Sequence, residues 1–122
     1  MPTLARKFSP RICLLAAGAL ATCLPATAHA SHVRGKVELL WARATDGLLY
    51  VRVTGTPTTR PTCAAATPYY IIQNESSELG RIQYAMLMSA YLAATPVEII
   101  GSGTCTRWSD GEDIESVNYY TP

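Results

Sequence analysis

The sequence predicts a mainly β fold with one helix, its five short strands closed into a small barrel. Three observations carry this. Apolar residues recur with a two-residue period in short segments near both ends of the region 33–120. The segment between them is instead rich in Leu, Met and Ala. Gly, Pro, Asn and Asp punctuate every junction.

Residues 33–55 read as a hairpin. Val37, Leu39 and Trp41 alternate with Glu38, Leu40 and Ala42, Asp46-Gly47 supplies the turn, and Leu48 to Val53 returns as a second strand. Alternation places Leu49, Val51 and Val53 on one face and Leu48, Tyr50 and Arg52 on the other. Gly55 and Pro57 end that strand. Residues 56–68 hold five threonines, three prolines and Cys63, and read as a loop. Tyr69 to Gln73 forms a third short strand.

From Ser77 to about Ala94 the composition favours helix, with Ser76 or Ser77 as the N-cap and Pro96 beyond the end. On a helical wheel Leu79, Ile82, Met86, Ala90 and Ala93 make one apolar face. The opposite face carries Tyr84, Met88, Tyr91 and Leu92, and only Arg81, Gln83 and Ser89 interrupt the apolar surface. A helix apolar nearly all round is buried on more than one side. A partner subunit or covering loops are the two sources of that second layer, and Tyr84, Met88 and Tyr91 are the candidate oligomer contacts.

Pro96 to Ile100 reads as a fourth strand, followed by Gly101-Ser102-Gly103 and Cys105, and Ile114 to Tyr120 as a fifth. The order β-β-β-α-β-β, with the helix between the third and fourth strands, is the plan of a small OB-like barrel, whose closure removes exposed sheet edges. An open α+β sheet with one helix packed on it is the alternative.

Ahead of this region, residues 1–30 have the form of a signal peptide. Arg6, Lys7 and Arg11 make a basic segment, Ile12 to Leu24 an apolar one, and Ala28-His29-Ala30 an A-x-A site that sets cleavage between Ala30 and Ser31. The apolar run is shorter than the roughly 18 residues of a membrane span. Leu20-Ala21-Thr22-Cys23 has the outline of a lipobox, with Thr22 ill suited to the position before a lipidated cysteine. The expected mature chain is therefore 31–122, secreted or periplasmic. It retains Cys63 and Cys105 alone, a pair that an oxidising compartment would join in one structural bridge. Closing that loop is worth roughly 4 kcal/mol in the chain-entropy model, a large share for so small a fold.

Charge and residue type narrow the function. Of 10 basic residues three lie in the leader, which leaves seven against nine acidic ones. Nucleic-acid binding driven by phosphate contacts has little to work with at that balance. His32 is the one histidine of the mature chain and sits beside its new N-terminus, where chains fray. Glu38 and Glu98 are lone strand carboxylates, and Asp110, Glu112, Asp113 and Glu115 read as a solvated acidic turn before the last strand. Asn74-Glu75-Ser76 fits a glycosylation sequon, but Asn74 equally suits the residue before a helix cap, the reading preferred here. Neither a catalytic constellation nor a metal or cofactor site is expected. Trp108, with Arg107 beside it in a loop after Cys105, is the candidate ligand contact, because an aromatic ring with a polar edge suits sugar stacking; packing of the same ring against the disulfide is the alternative.

The stretch Ile82-Gln83-Tyr84-Ala85-Met86-Leu87-Met88-Ser89-Ala90-Tyr91, followed by Thr95-Pro96-Val97-Glu98-Ile99, resembles the helix and following strand of small exported bacterial OB-like proteins. Among these are the ring-forming binding subunits of subtilase-cytotoxin-type toxins. The resemblance implies a non-catalytic binding module, a homo-oligomer (a pentamer) with its helices around a central pore, and glycans as ligands. Those subunits carry aromatic residues after the fourth strand, where this chain has Gly101-Ser102-Gly103, so no sugar-binding residue transfers to that position. A monomeric periplasmic inhibitor or envelope accessory protein acting on a protein partner is the alternative.

Overall fold

The computed structural model describes residues 29–121. The basic and apolar parts of the leader, with Cys13 and Cys23, lie outside them. Five strands form a closed barrel in the order β1-β2-β3-β5-β4, with β1 at His32–Ala42, β2 at Leu49–Val53, β3 at Tyr70–Ile71, β4 at Pro96–Gly101 and β5 at Glu112–Tyr119. One helix, α1, spans Glu78–Ala93 between β3 and β4. The expected OB-like barrel is the fold of the chain. The open sheet is not, because β1 and β4, the two ends of that strand order, pair with each other and close the circuit.

The long first strand makes closure possible. Its first half pairs with β4, from His32↔Ile100 to Lys36↔Pro96, and its second half with β2, from Leu39↔Arg52 to Ala42↔Leu49. Between Val37 and Leu39 the register shifts, which bends the strand around the barrel. The shift also breaks the alternation expected for β1. Val33 and Val37 are buried, whereas Trp41 is exposed and Leu40, from the other expected set, packs against the core. In β2 the alternation holds: Val51 and Val53 are buried and Leu49 packs beside them. Parallel pairing of β3 with β5 completes the circuit with only two ladder positions, Tyr70↔Glu112 and Ile71↔Asp113.

Helix α1 starts where the sequence indicates. The Ser77 side chain accepts the Gly80 N–H, while Asn74 Oδ1 accepts the Ser77 N–H, so Asn74 sits in the turn that leads into the cap. The chain leaves through Ala94 in the left-handed region at φ 52°, and Pro96 begins β4 rather than lying in a loop. The buried face differs from the expected one. Gly80, Gln83, Leu87 and Ala90 face the barrel, while Leu79, Ile82 and Ala93 are exposed. With apolar residues on every side, composition does not select the inner face; Gly80 lies against the Asn74 carbonyl of the turn leading into the helix, where a side chain would collide. Gln83 then donates from Nε2 to the Glu115 carbonyl at 3.2 Å, fastening the helix to β5.

Two carboxylates close the fold around the loops. Glu112 and Asp113, expected in a solvated turn, are the first residues of β5 and have no solvent exposure. Cys63 and Cys105 form the disulfide, with Cα atoms 6.3 Å apart, and tie loop 54–69 to loop 102–111. No helix among the described residues is long and apolar enough to cross a membrane.

Candidate functional site

On one side of the barrel the outward residues of β1 and β2 meet the residue just before β3. Trp41 and Tyr50 are direct cross-strand partners, with rings stacked at 5.7 Å and 11° between their planes. Tyr69 continues the row, tilted against Tyr50 at 5.4 Å. The three rings form a ladder across the sheet, and Trp41, at 50% exposure, leaves its outer part in water.

Two loops frame the ladder. In the β1–β2 turn, Arg43 Nε and Nη2 engage both carboxylate oxygens of Asp46 at 2.8 and 2.5 Å. That fork holds the Asp46 carboxyl down at about 2, first through the Arg43 hydrogen bond, while the Arg43 guanidinium is raised further above its already high value. The same guanidinium lies 4.4 Å over the Trp108 ring, a cation–π contact between the two loops. Tyr69 Oη donates to Asp110 Oδ1 at 2.5 Å, and burial, aided by that bond, pushes the phenol up to about 12. Arg43, Leu48, Tyr50, Tyr69 and Trp108 line a cleft of about 100 Å³. It is smaller than the ~300–1,000 Å³ of an enclosing small-molecule pocket. Such a cleft receives the edge of a ring or a chain end, with the ladder as the adjoining platform.

Of the two loop residues singled out from the sequence, Trp108 lies in this cleft and Arg107 supports it from behind. Arg107 Nε donates to Glu75 at 2.8 Å and Nη2 to the Asp46 carbonyl at 2.9 Å. It thus fixes the β1–β2 turn to the segment before α1. Sequence reasoning missed Trp41, Arg43, Tyr50 and Tyr69. One signal was present: Trp41 and Tyr50 lie on the two arms of the expected hairpin, although symmetric counting about Asp46-Gly47 sets Trp41 opposite Arg52 and the observed register sets it opposite Tyr50. No comparable signal existed for Tyr69, which joins the ladder only because β3 pairs with β2.

The candidate oligomer contacts behave differently from one another. Met88 and Tyr91 are 40% and 50% exposed, and Leu92 beside them 78%. Tyr84 is partly buried and packs against the barrel core. Comparison with family models, curated proteins and solved structures finds no match to the chain.

Proposed function

We propose that the protein is an exported, non-catalytic binding module that takes carbohydrate on the Trp41–Tyr50–Tyr69 face, with Trp108 in the adjoining cleft. The aromatic ladder carries this reading, since flat rings with polar tips match the apolar faces and hydroxyl edges of sugars. Its place supports it too: the strand 2–3 face and the loops after strands 1 and 4 are where OB barrels take oligosaccharides or oligonucleotides. Charge separates those two ligand classes. Both arginines at the site are paired with carboxylates, Arg43 with Asp46 and Arg107 with Glu75, which weakens their pull on a phosphate backbone.

The test is binding of the mature protein to an array of oligosaccharides, alongside Trp41→Ala and Trp108→Ala variants. Trp41→Ala should abolish binding with the melting temperature nearly unchanged, because half the side chain is already in water. Trp108→Ala should weaken binding as well. An unmutated protein that retains no glycan overturns the ligand class.

Self-association through α1 belongs to the same proposal. Met88, Tyr91 and Leu92 leave apolar surface exposed on the last turns of the helix, and a second copy of the chain is the occupant the resemblance implies. Light scattering at micromolar concentration should show a mass above the monomer, reduced to the monomer by Met88→Lys. A strict monomer instead favours the second reading, in which a monomeric periplasmic inhibitor or envelope accessory protein offers the same residues to a protein partner.

A further inference from the structure

We infer that the pocket around Glu112 receives the chain's own α-ammonium group, released at Ser31 when the leader is removed. The inference rests on the leader reading and on the way the structure treats Ser31. This residue precedes β1 and is completely buried, while His29 and Ala30 before it are exposed. Its backbone nitrogen donates to Glu112 Oε1 at 3.0 Å, its hydroxyl lies 2.5 Å from Glu112 Oε2 and 2.7 Å from Tyr70 Oη, and its carbonyl accepts the Gly101 N–H at 2.7 Å. Every polar atom of Ser31 is engaged. The point where the chain enters the barrel is the point where the A-x-A site ends.

The rest of the pocket is built for a carboxylate with an incoming positive charge. Glu112 has no solvent exposure and also accepts the Gly103 N–H at 3.0 Å. Its one cationic neighbour among the described residues is Arg60, whose Nε stands 3.5 Å away without a hydrogen bond while Nη1 and Nη2 serve the Thr67 and Tyr69 carbonyls. Hydrolysis of the Ala30–Ser31 amide adds one water: Ala30 takes the hydroxyl as a carboxylic acid, and the Ser31 nitrogen takes a hydrogen to become a primary amine. Near neutral pH that amine binds one more proton. A neutral N–H facing the Glu112 carboxylate thereby becomes an ammonium, and the existing hydrogen bond gains the attraction of a buried ion pair. Removal of the leader would then stabilise the barrel as well as free it.

The groups facing the amine are Glu112 of β5, Tyr70 of β3 and Arg60 of loop 54–69; β4 contributes the Gly101 N–H, and His32, next along β1, is exposed. An α-amine titrates at about 7.7–8.0 in an unfolded chain, and pairing with Glu112 raises that value in the folded one. The added stability is fully present below about pH 8 and is lost as pH rises through the folded value.

The test compares chains released from a fusion to begin at Ser31 or at Ala30, each with and without Glu112→Gln. The Ser31 chain should melt higher, on the order of 4–8 °C, and Glu112→Gln should erase that advantage. An equal loss in both chains overturns the pairing. If the Glu112→Gln chains do not fold, the unmutated pair is followed from pH 7 to pH 10. The gap should close with rising pH, and a gap that stays constant overturns the pairing. Mass spectrometry of the exported protein should find Ser31 at the N-terminus. A mature chain that retains Ala30 overturns the cleavage point, an outcome separate from failure of the Glu112 contact.

Discussion

The Asp113 carboxylate accepts the backbone N–H of Thr106 at 2.7 Å and its hydroxyl at 2.6 Å, from a side chain wholly out of water. It also accepts the Thr104 hydroxyl at 3.1 Å and the Arg107 N–H at 3.2 Å. One buried anion thus organises the loop that carries Cys105, Arg107 and Trp108. Hydrogen bonds to a charged group contribute about 1.5–3 kcal/mol, and unpaired buried donors cost more. Asp113→Ala should therefore destabilise the fold by roughly 3 kcal/mol in urea unfolding, and should weaken ligand binding through Trp108.

The bridge between Cys63 and Cys105 joins residues 42 apart in sequence. Its removal frees the unfolded chain of a long closed loop. Replacing both cysteines with serine should lower stability by roughly 4 kcal/mol, read as a shift of the urea midpoint with the far-ultraviolet spectrum retained at low denaturant.

Gly101 lies directly under Glu112. A Cβ at this position would run into both carboxylate oxygens. Gly101→Ala must then displace Glu112 from Ser31 and Gly103, at a cost of about 1–3 kcal/mol for overpacking. Gly47→Ala provides the contrast. That residue has φ 74° and open space around it, so its cost is backbone strain alone and leaves the Glu112 network untouched. Proton NMR of the Gly103 amide should shift in the first variant and stay in place in the second.

Asp46 has its carboxyl lowered from 3.8 to about 2 by Arg43. A depressed folded value means that the group favours folding above about pH 4, and that this contribution is lost as pH falls from 4 through 2. Carbon-detected titration of the Asp46 carboxyl should show a midpoint near 2, moving back toward 4 in Arg43→Gln. Because the pair is solvent-exposed, stability at pH 7 should barely change in that variant.

Tyr69 titrates in the opposite sense. Its phenol is raised from 10 to about 12, so the neutral ring favours folding below pH 10, and that contribution disappears as pH climbs through 12. Absorbance at alkaline pH should reveal a late-ionising tyrosine that is missing in Tyr69→Phe.

Much of the barrel was legible because its cues are local. The Asp46-Gly47 turn, the alternation in β2, the Ser77 cap and Pro96 at the head of β4 each act over a few residues. The inward face of α1 was not legible, since a helix with Leu, Met, Ile and Tyr all around offers no hydrophobic direction of its own. Glu112 and Asp113 misled for a related reason. Four acids within six residues look solvated until distant donors, Ser31 and Gly103 for one and Thr104 to Arg107 for the other, surround them. The same applies to the glycines around the end of β4: Gly101, without a side chain, makes room for Glu112, and Gly103 supplies an N–H to it.

By itself the sequence determined the strand and helix order and the partnership of Cys63 with Cys105, since spacing and composition suffice for each. Tertiary structure decided which rings meet and which charges are buried. Tyr69 reaches Trp41 only through Tyr50 and the pairing of β2 with β3, and Ser31 reaches Glu112 only when β1, β4 and β5 close the barrel. Contacts between residues 81 positions apart exist only once the chain has folded, and no local pattern encodes them.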